Sequence, residues 1–286
     1  MRTAVFTVVF PGVEQYLPDF FHSLQVQSDQ DFELFIVNDG YAALAGHDMQ
    51  VGKRVRILDG TGTPALLRKT GIAWIGESGF DNVIFADADD WFDVNRVSVV
   101  RRVLIHERLV VNDLVIFGSG IVPYSLLQPR FPDKQEIRAK DLSRSNFMGL
   151  SNTAARLEAI LDIAGRTPDW LIAFDWGLFA QCLLSDMQAI FTSETATHYR
   201  QHNANIAGLF HYDAGAILRG VKVKTQQYEL LRSFSDWHQD MYLAYQALLD
   251  RLETDSVYLG GYIERLRERH SPNLVWWEQI RLESEF

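Results

Sequence analysis

The stretch VIFADADDWFD, Val83 to Asp93, decides how this chain is read. An apolar run with the pattern of a buried strand ends in Asp87, Asp89 and Asp90, three carboxylates within four residues. Ionised carboxylates this close repel one another and are costly to desolvate, so the segment needs either a cation or a water-facing turn. In the turn reading Asp93 caps the helix that follows. In the cation reading the strand end is a binding edge.

The surrounding sequence supplies the sheet to which that edge belongs. AVFTVVF, FELFIVN, RVRIL and DLVIFGSG read as strands, and EQYLPDFFHSLQVQ as a helix between the first two. TPALLRKTGIAWIGE carries a helix-start signature, with Thr63 as N-cap and Pro64 at the first helical position. A further helix is expected from about Val94 to Arg108. Such β-α alternation implies an α/β fold with a mostly parallel sheet covered on both faces by helices. Open sheets of this kind bind ligands at the carboxyl ends of their strands. Asp39, after FIVN, and Asp87 to Asp90, after VIF, fall at that edge.

Residues from Leu126 to Leu150 read as a loop region or small subdomain over the sheet edge. NTAARLEAILDIAG and FDWGLFAQCLLS read as helices, and ATHYRQHNANIAG as a strand running into a polar loop. Beyond Asp213 the pattern is helical throughout. The expected division is one α/β domain over 1–212 and a helical extension over 213–286.

Composition narrows the function. With 286 residues, 47% hydrophobic and 22% charged, the chain has enough apolar material for a sizeable core. A formal net charge of −10 argues against nucleic acid as a partner. One cysteine, Cys182, permits no intrachain disulfide or Cys-based zinc site and fits a cytoplasmic setting. No transmembrane segment or signal peptide is expected. The Trp276–Trp277 pair reads as buried packing or a homodimer contact through the C-terminal helices, with peripheral contact at the inner membrane face as the other reading.

Two known acidic patterns fit poorly. A calcium-binding EF-hand loop needs Gly at its sixth position, where Phe92 stands when Asp87 is the first. A haloacid-dehalogenase-type phosphatase has an Asp-x-Asp motif near its domain start followed by Thr or Val, and here Trp91 follows Asp90.

Several segments together resemble family 2 glycosyltransferases of the GT-A fold. YLPDFFHSLQVQSDQDFELFIVNDG is similar to that family's opening, ALLRKTGIAW to its Arg-Asn-x-Gly segment, and FADADDWF to its Asp-x-Asp motif. FDWGLF resembles its Glu-Asp-Trp helix start and YRQHNANIAG its Tyr-Arg-x-His-x-x-Asn segment. The resemblance covers about Ala4 to Gly208 and implies that 1–212 is a catalytic domain, with nucleotide and metal sites in about 1–120 and the acceptor side and base in about 121–212. It departs at Asn38, Lys69 and Phe174, which replace Asp, Asn and Glu, and at Phe10, Pro11 and Gly12, which replace Pro-Thr-Tyr-Asn.

The resemblance implies a metal-dependent transferase that moves a sugar from a nucleoside-diphosphate donor, with UDP-sugar favoured, to a saccharide or other hydroxyl acceptor. Inversion by single displacement, in surface polysaccharide or glycoconjugate synthesis, is expected. Asp89 is the expected ligand of Mn²⁺ or Mg²⁺, and Asp87 a second ligand or a ribose contact. Phe10, Pro11 and Asp39 would hold the base, and Arg68 the base or diphosphate. Asp90 would meet the donor sugar or the metal through water, with turn formation as its other reading. Arg200 and His202 would stabilise the departing diphosphate or the metal.

An acceptor hydroxyl must lose its proton as it attacks, so Asp175, at a helix start, is the expected base. A plain helix-terminal acid is its alternative. The competing functions are a silent nucleotide- or glycan-binding protein and a nucleotidyltransferase. The latter would need a Gly-rich, basic loop where FPGVEQ stands.

Overall fold

The computed structural model describes residues 1–202, 212–270, 274 and 276–285. The first half alternates as the hydrophobic pattern requires: β1 (Thr3–Val9), α1 (Leu17–Gln25), β2 (Glu33–Asn38), β3 (Arg54–Asp59), α2 (Pro64–Glu77) and β4 (Asn82–Phe85). Then come β5 (Trp91–Phe92), α3 (Arg96–Val103), β6 (Leu109–Gly118) and β7 (Ile121–Ser125). Thr63 caps α2 as expected, its Oγ1 accepting from the Leu66 N–H at 3.1 Å.

The sheet runs β3-β2-β1-β4 with all pairs parallel. Alternation along β1 serves both faces. Ala4 and Phe6 pack on the side of α2, whereas Val5 and Val9 pack on the side of α1 and α3. Burying each such aliphatic or aromatic side chain contributes about 1.5 to 3 kcal/mol.

Past β7 lie β8 (Glu136–Ile137), α4 (Ala139–Leu142), β9 (Thr153–Arg156), α5 (Leu157–Arg166), α6 (Phe174–Leu184) and β10 (Ala189–Gln201). The helix expected over NTAARLEAILDIAG therefore begins only at Leu157. Thr153–Arg156 is a strand, inserted antiparallel between β4 and β6. Buried Thr153, Ala154 and Ala155 fill that position because small side chains fit a strand enclosed between two neighbours. β10 returns parallel to β6, so the sheet is mixed in its second half. The helix expected from Val94 to Arg108 spans only Arg96–Val103.

Asp213 N-caps α7 (Ala214–Leu231), its Oδ1 accepting from the Ala216 N–H at 2.9 Å. α8 (Asp236–Thr254) and α9 (Ser256–Glu268) follow, and among the described residues these three helices share a core built on Tyr228, Tyr245 and Tyr262. Val223 and Leu231 of α7 instead join the core of the sheet, as do Trp276 and Trp277. The tryptophan pair is buried within its own chain, which removes it as a surface anchor. No described helix is long and apolar enough to cross a membrane.

Candidate active site

Because β2, β1 and β4 are parallel neighbours, their carboxyl ends bring three distant sequence segments to one edge. Phe10 and Pro11 follow β1, Asp39 follows β2, and Asp87 and Asp89 follow β4; all line one cavity of about 520 Å³. Arg68, Asp175, His202, Trp276 and Trp277 line it as well.

Arg68 reaches the edge because α2 lies close on β1. A Cβ at Gly71 would stand 2.1 Å from the Phe6 ring, so only glycine permits this approach without a shift. The Arg68 Nη2 is then 3.8 Å from Asp87 Oδ1. About a third of the Asp87 side-chain surface is accessible. Burial holds its carboxyl above the ordinary carboxylate range; Arg68 and Arg96 oppose this, and Asp89 and Asp175 add to it.

His202 Nε2 is 2.9 Å from Asp89 Oδ2, and its ring stacks on Tyr16 with centroids 4.7 Å apart. Asn203 to Gly208, the remainder of the Tyr-Arg-x-His-x-x-Asn segment, lie outside the described residues. Across the cavity, Asp175 sits in the first turn of α6. Its Oδ1 accepts from the Trp176 N–H at 2.9 Å and faces Asn146 Nδ2 at 3.4 Å. Burial raises its carboxyl above the ordinary range, against the pull of Arg68. Phe174, where the family has Glu, is buried against the core and brings no charge to the cavity.

Two residues expected on the donor stand elsewhere. Asp90 is almost wholly buried and outside the cavity lining, accepting from the Arg200 N–H at 2.7 Å and from Ser151 Oγ. Arg200 is likewise absent from the lining. Its Nε donates to the Asp89 carbonyl at 2.9 Å, its Nη2 pairs with Asp19 at 2.6 Å, and its guanidinium lies over Tyr16 and Phe117. In this geometry both brace the loop that carries Asp89. Asp93 does not cap α3 with its side chain. It pins β10, accepting from the Ala196 N–H at 2.9 Å and pairing with His198 at 2.8 Å.

Sequence reasoning passed over Arg96, which lies wholly buried beneath the acid cluster. It donates to Asn112 Oδ1 at 2.8 Å and to the Phe85 carbonyl at 3.1 Å, and covers the Phe92 ring at 3.8 Å. Burial lowers its pKa to about 9, although Asp90, Asp87 and Asp93 favour its charge. Its signal in the sequence is its position: Arg96 shares the buried face of α3 with Val97 and Val100. Asn146, Tyr199 and the tryptophan pair were also missed as cavity residues.

A mixed sheet whose parallel half gathers carboxylates at its strand ends, with a cavity completed by the second half of the chain, defines a GT-A-type fold. The chain belongs to glycosyl transferase family 2, whose sequence model matches residues 5–161, more than half of its length. It is accordingly a glycosyltransferase. No curated protein matches the chain.

Among solved structures it is similar to S. aureus TarS 1-349 in complex with UDP-GlcNAc, with TM-score 0.61 and 13% identity over 94% of this chain and 92% of that one. The same protein in complex with UDP gives TM-score 0.61 and 15% identity over 94% and 78% of the two chains. At such identities the likeness establishes the fold. Asp175, β10 and the C-terminal helices lie beyond the family match.

Proposed function

We propose that the protein transfers a sugar from a nucleoside-diphosphate sugar, preferentially a UDP-sugar, to an acceptor hydroxyl with inversion, in surface polysaccharide or glycoconjugate synthesis. The observation that carries this reading is the meeting of Asp39, Arg68, Asp87, Asp89, Asp175 and His202 in one cavity, from segments far apart in the chain. The UDP and UDP-GlcNAc complexes of the similar TarS fold support the nucleotide preference.

Phe10 and Pro11 offer the base an apolar wall, and Asp39 offers it a carboxylate acceptor. Arg68, an obligate cation, faces the diphosphate. Asp175, opposite the strand ends, takes the proton from the attacking hydroxyl, and burial suits it to that task by raising its affinity for the proton. Asn146 and the Trp176 N–H fix the orientation of its carboxylate.

The residues present fit a divalent cation. Among the described residues no group of three His, Cys, Asp or Glu side chains is placed to hold a metal unaided. Mn²⁺ and Mg²⁺, however, favour oxygen donors and take the rest of their shell from phosphate and water. Asp89 and Asp87 would hold it, with His202 beside Asp89. Bound there, a cation stabilises the departing diphosphate as a Lewis acid. The crowding of Asp87, Asp89, Asp90 and Asp175 around Arg68 and Arg96 favours added positive charge.

Release of UDP from a panel of UDP-sugars, with Mn²⁺ or with excess EDTA, tests the proposal. Asp89→Ala should fold normally, because its side chain belongs to the cavity wall, and should lose transfer by about 10²-fold or more. Full activity of this variant in EDTA would overturn the metal assignment. Saturable UDP-sugar binding by the wild type without release would make the chain a binding protein.

A further inference from the structure

The helix that presents Asp175 lacks the usual device for starting a helix. Ala173 stands at the N-cap of α6 and has no side chain to accept from the free N–H groups of the first turn. The loop that leads into α6 is instead gripped by two other helices. On the α2 side, Thr63 Oγ1 donates to the Asp169 carbonyl at 2.9 Å and Lys69 Nζ pairs with the Asp169 carboxylate at 2.6 Å. About half of the Asp169 side chain is exposed, so that ion pair is a weak restraint.

The grip from α7 is more specific. Gln226 Oε1 accepts from the Ile172 N–H at 3.0 Å, and Nε2 of the same side chain donates to the Trp170 carbonyl at 3.1 Å. One planar amide thus holds the backbone at two points, on either side of residue 171, as one residue of a parallel strand would. Leu171 between them is buried. A Cβ at Gly177 of α6 would stand 2.7 Å from Leu171 Cδ1 and 3.0 Å from Leu230 Cδ2 of α7, so the two helices close tightly around that leucine. The backbone then passes directly into the cavity, which Ile172, Ala173, Phe174 and Asp175 line in succession.

We propose, on the reading of Asp175 as the base, that Gln226 is a positioning residue for transfer. Its two-point hold on Trp170 and Ile172 sets where α6 begins, and so where the Asp175 carboxylate stands. Gln226 is not itself a cavity residue and lies beyond the family match. It gives the helical extension a part in the reaction, because α7 carries the amide.

The test uses the full chain with Mn²⁺ and whichever of UDP-glucose, UDP-galactose and UDP-N-acetylglucosamine the wild type turns over, read as UDP release. Gln226→Met is close in length and makes neither hydrogen bond. Gln226→Glu keeps the acceptor for Ile172 but, ionised, sets an oxygen against the Trp170 carbonyl. In both, kcat should fall by about tenfold or more, because a small misplacement of a reacting group is costly, while UDP affinity by calorimetry stays near wild type.

Carboxyl ¹³C NMR of the aspartates, with Asp175 assigned from Asp175→Asn, separates placement from general loosening. Burial holds the Asp175 carboxyl above the ordinary range. A freed loop admits water, so its titration should move downward in Gln226→Met. Thr225→Val is the control on the same helix. It removes the buried hydrogen bond from Thr225 Oγ1 to the Val221 carbonyl at 2.9 Å without touching the loop, and should change neither readout.

If Gln226→Met does not melt cooperatively, the glutamate variant decides by the same readouts, since residue 226 is only partly buried. Unaltered kcat in a folded variant, an Asp175 titration that does not move, equal losses in Thr225→Val, or a loss confined to UDP affinity would each overturn the positioning role. Wild-type kcat in Asp175→Asn would instead overturn the base, and a wild type that releases no UDP would overturn the parent function. In either case Gln226 would have no base to position.

Discussion

The cavity has two walls built by different means. At the strand edge, Asp39, Asp87 and Asp89 each lie within a few positions of a strand end, and the parallel order of β2, β1 and β4 alone brings them together. Elsewhere in the lining, Trp276 and Trp277 depend on contacts such as that between Glu278 and Arg130, 148 positions apart. The first wall follows from local pattern plus topology and carries charge. The second is fastened by side chains and is mainly aromatic.

The sharpest way to break the comparison is at Asp175, which lines the same cavity. Asp175→Asn keeps shape and hydrogen-bonding reach but cannot take a proton. Turnover should fall by about 10²- to 10⁴-fold while UDP affinity stays near wild type. Were Asp175 only a helix-terminal acid, stability would change by at most about 1 kcal/mol and transfer would survive.

At the strand-edge wall, Asp39→Ala and Arg68→Ala should each weaken UDP binding by about 1 to 3 kcal/mol, read by calorimetry, through loss of a charge-assisted hydrogen bond. Unchanged affinity in both would move the base pocket elsewhere. Gly71→Ala perturbs the same wall indirectly, because its methyl group would collide with the buried Phe6 ring. Denaturant unfolding should show a loss of about 1 to 3 kcal/mol from overpacking. Wild-type stability in that variant would mean that α2 can shift freely and does not fix Arg68.

The smallest expected effect sharpens the other wall. Burial lowers the Lys224 ammonium from its ordinary 10.5 to about 8. Between about pH 8 and 10.5 the unfolded chain binds more protons at this residue than the folded one, so its contribution to stability rises with pH. The slope is at most about 1.4 kcal/mol per pH unit. Tyr228, Tyr245 and Tyr262, raised by burial, act in the opposite sense above pH 10. Comparing the wild type with Lys224→Met between pH 8 and 10 isolates the lysine. Parallel profiles would show that the chain at Ile280, whose carbonyl accepts from Lys224 Nζ at 2.8 Å, is not held by a buried charge.

The strand-edge wall was legible because strand and helix periods are local and because an acid cluster at a strand end is unusual chemistry. β9 was not legible, since Thr153, Ala154 and Ala155 fit a helix as well as a strand, and only the gap between β4 and β6 selects the strand. Asp90 and Arg200 were named as donor contacts from their place in motifs. Their positions were not legible: Asp90 accepts from Ser151 and from the Arg200 N–H, partners that lie far along the chain.

By itself the sequence determined the α/β alternation and the carboxylates that gather at the strand ends, since each depends on neighbours within one element. Tertiary structure alone decided that Arg96 lies under those carboxylates and that β9 runs against its neighbours. It also decided that two tryptophans near the end of the chain complete the cavity. Burial and side-chain pairing between segments far apart along the chain set these features, and no short window of sequence contains both partners.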